Sequence, residues 1–274
     1  MIVLILSLFF SWFFIGGIFK LSFDSFFLNK IETSLHSTLI NYLSSNIPLI
    51  VLFIFSILTT HIVLKSTIID MVRDEKYEIK NYILTIIIAF LFTTIFTFFF
   101  NKNISINSKS LNIKIVMAFV VILITPIQCF SEEFLFRVSF SRLFDSSKLF
   151  QKILLSIFSG IIFLLAHMFS NPEFQIAPSF LLNLYYFQFG FLSMLLGLTL
   201  NDFTFSILIH SSINLFSLLI CGYVGSPLES APIFISSQIP SPLFANISIF
   251  VIFALTYFCV KKNVGRITCQ RKRK

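Results

Sequence analysis

Two adjacent carboxylates stand where charge is least expected in this sequence, at the end of a long apolar run. The run extends from Ile113 to Phe130 and is followed by Glu132, Glu133 and Arg137. Ionisable side chains beside such runs are costly to bury, and they are kept mainly where they serve a function. A carboxylate in this setting can take a proton from water, so this stretch is the first candidate for acid–base chemistry.

The helical spacing separates the expected roles of these three residues. Glu133 and Arg137 are four residues apart with the acid first, which is the favourable arrangement for an ion pair on a helix. Such a pair neutralises both charges and predicts a structural role for them. Glu132 points about 100° away and has no such partner. A poorly solvated carboxylate can exchange protons near neutrality, so we expect Glu132 to do the chemistry. The alternative is that both glutamates are solvated at the membrane interface.

Two further groups of polar residues follow within apolar runs, and we call these two groups and the Glu132–Arg137 group the three polar islands. His167 shares a helix face with Phe163, four residues earlier, and His210 shares one with Asn214, four residues later. A lone histidine is more often a packing residue than a catalytic one. Two polar side chains aligned on one apolar helix need partners or water. The pair His210 and Asn214 is therefore a stronger indication of a functional site than His167 alone.

The composition identifies the environment of these residues. The chain is 57% hydrophobic and 12% charged, whereas soluble proteins carry about a quarter charged residues. That much apolar surface cannot be buried in one water-soluble core. Continuous apolar runs of about twenty residues, without strict alternation, predict spanning helices rather than a β-barrel. The sequence therefore predicts an all-α, polytopic membrane protein.

About eight transmembrane helices are expected, in three segments. Residues 1–109 hold helices one to three, residues 110–221 hold helices four to seven with all the polar islands, and residues 222–274 hold helix eight and a basic tail. The expected helices are Met1–Phe19, Ile47–Leu64, Ile83–Phe100, Ile113–Arg142, a fifth capped by Asp145 and ending at Phe169, a sixth with Pro178 in its first turn and ending at Leu200, Phe203–Cys221, and Leu243–Val260.

The placement of positive charge predicts the orientation. With eight spans, fifteen of the 20 Lys and Arg residues fall on the side of the C-terminal tail and five on the other. Positive loops stay in the cytoplasm, so we expect a multi-pass protein of the cell membrane with both termini cytoplasmic. The tail then anchors this orientation, and the expected partners are the lipid bilayer and a peptide or membrane-protein substrate, with no nucleic acid.

The expected depths of the polar islands in the membrane do not match, which argues against a single site. In a simple perpendicular arrangement, Glu132 lies near the cytoplasmic end of its helix and His167 near the outer end of the next. An interfacial start of the fifth helix, before Gln151, or a strong tilt would bring them together.

The ordered set of motifs resembles the CPBP family, which comprises CAAX prenyl endopeptidases and bacterial relatives called Abi proteins. The motifs are Glu132-Glu133-x-x-x-Arg137, Phe163-x-x-x-His167 and His210-x-x-x-Asn214. The resemblance covers about residues 110–221 and implies an eight-helix intramembrane protease with a water-filled cavity open toward the cytosol. It implies that Glu132 activates water with help from His167, that His210 and Asn214 stabilise the tetrahedral oxyanion, and that Glu133, Arg137 and Phe163 support the site.

Several functions remain open at this point. The first is hydrolysis of a peptide bond at or in the membrane by a glutamate-activated water, with no cofactor required. A second enzyme hypothesis adds one zinc ion held by Glu132, His167 and His210. A non-enzymatic alternative is a bacteriocin self-immunity factor or a scaffold for a partner membrane protein. A transporter comes third, since the chain shows no inverted repeat.

Overall fold

The structure, a computed structural model, describes residues 2–27, 34–101, 103–144, 147–170, 174 and 179–271. The expected helix starts at Asp145 and Pro178 lie outside these residues. The strands are β1 (Ile104–Ile106), β2 (Cys221–Tyr223) and β3 (Phe234–Ser236). The helices are α1 (Ile2–Phe27), α2 (Ser34–Leu64), α3 (Ile68–Val72), α4 (Ile79–Phe100), α5 (Leu111–Ser141), α6 (Leu149–Ser170), α7 (Phe180–Leu200), α8 (Thr204–Ile220) and α9 (Pro242–Arg271).

The length and composition of the helices confirm a polytopic, all-α membrane protein. Among the described residues, seven helices are long and apolar enough to cross a membrane, namely α1, α2, α4, α5, α6, α7 and α9. The remaining expected span corresponds to α8, which is shorter. Its 17 residues extend about 26 Å, against roughly 30 Å for the hydrocarbon core.

One side of the helix bundle gathers three connections, and two of them, before α4 and between α5 and α6, are rich in basic residues. Arg142, after α5, donates a hydrogen bond to the Met71 carbonyl of α3 at 2.8 Å. Lys152, in the first turn of α6, donates to the Leu198 carbonyl near the end of α7 at 2.6 Å. We call this side, which holds α3, the α5–α6 connection and the α7–α8 link, the basic face.

The opposite side carries a small sheet, and we call it the strand face. The strand order is β1–β3–β2, with β1 antiparallel and β2 parallel to β3. β1 connects α4 to α5, β2 follows α8, and β3 precedes α9. The sheet therefore hydrogen-bonds three connecting segments to one another on the side of the bundle opposite the basic face.

α8 connects the two faces in spite of its length. At its start the Phe203 N–H donates to the Val72 carbonyl at 2.9 Å, and Asp202 forms a β-bridge with Arg73 on the basic face. Its end leads directly into β2 on the strand face. The eight helices that correspond to the expected spans therefore run alternately between the two faces. Among the described residues, seven of them have the full spanning length and α8 is shorter.

Residues 20–46 lie between the first two helices expected from the sequence, where we expected a polar loop, but the described part of this segment is helical. Lys20 pairs with Asp24 one turn later at 2.6 Å and donates to Ser44 of α2 at 2.8 Å. Polar side chains that satisfy each other between two helices allow both helices to continue past their apolar runs. The three strands were not expected either, because three residues are too few to show an alternating pattern.

Close packing of α6 against α7 depends on two glycines. A Cβ atom on Gly190 would lie 2.9 Å from the Gly160 Cα atom and 2.9 Å from the Phe163 Cβ atom. Small residues allow helix backbones to approach closely in membranes. This contact holds Phe163, and with it the turn that carries His167.

Gly190→Ala should therefore destabilise the protein, because the added methyl group meets backbone atoms that cannot move aside. We expect a loss of about 1–3 kcal/mol, seen as a lower melting temperature of the purified protein in detergent. Gly17→Ala is the control, since a Cβ atom there has nothing within 4 Å. Equal melting of the two variants would contradict the packing described here.

Candidate active site

The end of α5 presents its two glutamates to different surroundings. The α-helical part ends at Glu133 and continues as one π-helical turn, Phe134–Val138. Such turns occur often at functional sites, because the extra residue changes which side chains face inward. Glu132 lines a cavity, whereas Glu133 is fully buried in the protein.

The register of α5 and α6 brings the first two polar islands to the same depth. Phe140 packs edge-to-face on Phe158, with ring centroids 5.3 Å apart. About two turns farther from the basic face on both helices, His167 Nε2 lies 3.9 Å from Glu132 Oε2. The first turns of α6, from Leu149, therefore extend past the end of α5 on the basic face. This offset answers the depth difficulty raised by the sequence.

The ion pair expected from the spacing is present. Glu133 Oε1 lies 3.4 Å from Arg137 Nη1, and both side chains are 0% exposed. The Arg137 guanidinium makes no hydrogen bond within the described residues, but its carbon atom lies 4.0 Å from the centre of the Phe163 ring. Glu133 also accepts hydrogen bonds from Ser206 at 2.9 Å and from His210 Nδ1 at 3.0 Å. The buried pair thus joins α5 to both α6 and α8.

Three polar atoms converge beside the cavity. Glu132 Oε2 lies 3.9 Å from His167 Nε2 and 3.8 Å from His210 Nε2. These separations are too long for direct hydrogen bonds and suit a shared water molecule between the three atoms. Glu132 Oε1 accepts a hydrogen bond from Gln128 at 3.3 Å, which holds the carboxylate in this direction.

The partners of the histidines determine which ring nitrogen carries a proton. His167 Nδ1 lies 2.8 Å from the Phe163 carbonyl, and His210 Nδ1 faces the Glu133 carboxylate. Carbonyl and carboxylate oxygens only accept hydrogen bonds, so both Nδ1 atoms are donors. A neutral ring then presents a lone pair at Nε2, and a protonated ring presents an N–H there. Both Nε2 atoms point toward Glu132.

Asn214 lies one turn after His210 on α8, and its Nδ2 is 3.4 Å from the Cys129 sulfur. The cavity has a volume of about 490 Å³. It is lined by all four of the residues for which the sequence suggests direct chemistry: Glu132, His167, His210 and Asn214. The structure therefore brings the three islands together, while the roles assigned to them stay predictions.

Several residues of the site were not found from the sequence. Gln128 stands four residues before Glu132, so the same helical spacing could have indicated it. Tyr186 stacks on His167 with ring centroids 4.6 Å apart, and Trp12 of α1 lines the cavity and packs on Phe136. No local signal connects Trp12 to residues more than a hundred positions away.

The loop at the strand-face end of the cavity is tethered through Glu229. Its carboxylate accepts hydrogen bonds from Asn41 at 3.0 Å and from Lys109 at 3.1 Å, which lie in α2 and before α5. Burial by itself would raise the pKa of Glu229, but these hydrogen bonds outweigh it and hold the pKa below its usual value. The tether is therefore ionic at neutral pH.

The fit of a metal ion can be tested on the donor atoms. Zinc binds imidazole nitrogen and carboxylate oxygen at about 2.0–2.2 Å, with three protein ligands in catalytic sites. Among the residues that the structure describes, no group of three His, Cys, Asp or Glu side chains is arranged so that it could hold a metal ion. The zinc alternative stays a prediction, and no step below is derived through a metal.

Fold and site together define a polytopic membrane protein with a buried carboxylate–histidine centre at the end of a cavity. Residues 112–216 match the family described as Type II CAAX prenyl endopeptidase Rce1-like, which includes all three motifs. This match confirms the resemblance of this part of the chain to the CPBP family of CAAX proteases. No curated protein and no solved structure matches the chain. The division into three segments stays a prediction, although the match falls within residues 110–221.

Removing the arginine of the buried pair should damage folding more than chemistry. Arg137→Ala leaves Glu133 charged and unpaired in an apolar interior, so we expect a loss of about 3–5 kcal/mol in the free energy of unfolding. The melting temperature of purified protein measures it. Lys80→Ala is the control, because the Lys80–Glu78 pair is largely exposed and should matter little. Unchanged melting of Arg137→Ala together with lost activity would instead give Arg137 a direct catalytic role.

Proposed function

We propose that the protein is an intramembrane endopeptidase that hydrolyses a peptide bond with a water molecule activated by Glu132. The observation that carries this proposal is the convergence of Glu132 Oε2 with the Nε2 atoms of His167 and His210, at 3.9 and 3.8 Å. One water can lie within hydrogen-bond reach of all three atoms. The family match to CAAX endopeptidases supports the reaction class.

The first step is attack by water on the scissile carbonyl. Glu132 accepts a proton from the water, the water oxygen forms a bond to the carbonyl carbon, and the carbonyl electron pair moves onto its oxygen. His167 presents its Nε2 lone pair to the same water and helps to orient it. No serine or cysteine acts as a nucleophile in this scheme, so no covalent intermediate forms.

The oxyanion of this intermediate needs hydrogen-bond donors, and two side chains of α8 can supply them. Asn214 has two N–H groups, and only one of them is directed at the weakly accepting Cys129 sulfur. A protonated His210 donates from Nε2, while Glu133 accepts the hydrogen bond of its Nδ1 and holds the ring in place. Preorganised donors of this kind stabilise charge that develops in the transition state.

Collapse of the intermediate completes the reaction. The oxyanion re-forms the carbonyl, the C–N bond breaks, and the leaving amine takes the proton that Glu132 had accepted. Glu133 and Arg137 touch no substrate in this scheme. They position His210 and neutralise each other's charge. The proposal includes a multi-pass location in the cell membrane with both termini in the cytoplasm.

Glu132→Gln should give a folded protein without activity, because an amide cannot accept the proton of water at useful strength. The measurement is cleavage of a peptide library by the purified protein, with melting temperature as the check on folding. Glu75→Gln, an exposed acid on the basic face, is the control and should cleave normally.

Two results would change the proposal. Turnover of Glu132→Gln at the wild-type rate would move the base elsewhere, with Glu133 the next candidate. A cellular phenotype such as immunity that survives in Glu132→Gln, after cleavage is abolished, would favour the non-proteolytic alternative.

Asn214→Ala should lower turnover by about 10²–10³ with little change in substrate binding, as expected for one oxyanion donor. The kinetic constants of the purified variant test this. Ser217→Ala is the control, since Ser217 lines the same cavity and has no role in the scheme. Normal turnover of Asn214→Ala would contradict it, and so would activity that follows bound zinc and disappears on chelation.

A further inference from the structure

The cavity that holds the reactive groups has its mouth on the strand face. The end away from Glu132 is lined by the loop that follows β2 and by residues just before and at the start of α9. The middle parts of α1 and α2, the end of α6 and the start of α7 complete the wall. The residues from these loops are Tyr223, Ser226, Pro227, Leu228, Ile239, Pro240 and Pro242.

The basic face is closed beneath the site. Tyr82 stacks on Phe205 with ring centroids 4.9 Å apart and donates a hydrogen bond to Asp202 at 2.7 Å. Phe205, Arg137 and Leu135 are all 0% exposed. Among the described residues, none of those lining the cavity comes from residues 65–82, 142–152 or 198–206. Access from this side would require these packed layers to separate.

The two faces also differ in charge. Arg137 is buried between helices and does not count toward either face. Positive loops remain in the cytoplasm, so the charge distribution makes the basic face cytoplasmic. Among the residues whose side chains the structure describes, the basic ones on the strand face are Lys20, Lys109 and Lys114. On the basic face they are Lys65, Arg73, Lys76, Lys80, Arg142, Lys148, Lys152, Lys261 and Lys262.

We infer that the catalytic chamber opens away from the cytoplasm, so that its substrate is an apolar peptide segment presented on the outer side of the membrane. This rests on the proposed function and names the side and chemistry of its substrate. It replaces the expectation that the cavity opens toward the cytosol. A cytosolic mouth and a cytoplasmic basic face cannot both hold, because the two features lie at opposite ends of the helices.

The lining supports an apolar substrate. Apart from the reactive groups, the described walls are mainly aromatic, aliphatic and proline side chains. Lys20 lines the cavity, and Asp24 already pairs with it at 2.6 Å. A pocket of this size and composition suits a segment of a few apolar residues with its backbone directed at the polar end.

The side of the mouth can be tested without activity. Val224→Cys places a thiol on an exposed loop residue beside the mouth, and Lys148→Cys places one on the basic face. Intact cells are treated with a membrane-impermeant maleimide, and the unsubstituted chain measures labelling of the native cysteines. We expect Val224→Cys to be labelled at once and Lys148→Cys only after permeabilisation. The reverse pattern would overturn the inference.

The side from which substrate enters needs a second experiment. An impermeant apolar-core peptide that the purified protein cleaves is added to right-side-out or inside-out membrane vesicles, with Glu132→Gln vesicles as background. We expect cleavage by right-side-out vesicles and its loss in inside-out vesicles until detergent is added. Cleavage by inside-out vesicles alone would overturn the inference and leave the protease proposal intact. If no peptide is cleaved in a Glu132-dependent way even in detergent, the proposed function fails, and the labelling result alone decides the side.

Discussion

The structure depends on keeping two opposite charges together in an interior without water. Glu133 and Arg137 are both 0% exposed, and 3.4 Å separates their nearest charged atoms. A single buried charge is far more costly than a neutralised pair, so neither residue can be removed without penalty to the other. The Phe163 ring, 4.0 Å from the guanidinium carbon, adds a cation–π contact that a lysine would make less well. This arrangement fixes α5 relative to α6.

The same buried layer orients the groups that face the cavity. Glu133 accepts from His210 Nδ1, and the Phe163 carbonyl accepts from His167 Nδ1. Each histidine is therefore held by an interior partner on one side and turned toward Glu132 on the other. Such support of reactive groups by a second layer of contacts keeps their geometry within narrow limits. The same residues thus contribute to stability and to the proposed catalysis, and the role of Glu133 in this set is structural.

Sequence reasoning succeeded where the information is local. Spacing by four residues predicted the Glu133–Arg137 pair and placed His210 and Asn214 on one face, because a helix repeats regardless of its partners. It failed where the answer depends on contacts between distant segments. The offset of α6 against α5 and the cavity wall from Trp12 both follow from packing between helices. The polar loop expected before Asn46 was wrong for the same reason, since Lys20 and Ser44 satisfy each other only when the two helices pair.

The central claim is that water, activated by Glu132, attacks the peptide carbonyl directly. A single-turnover reaction in water enriched in oxygen-18, followed by mass spectrometry of both product and protein, tests it most directly. The account predicts one heavy oxygen in the new carboxylate of the product and none in the protein. Heavy oxygen in the Glu132 side chain after one turnover would show that this carboxylate attacks the substrate itself, and it would contradict the account.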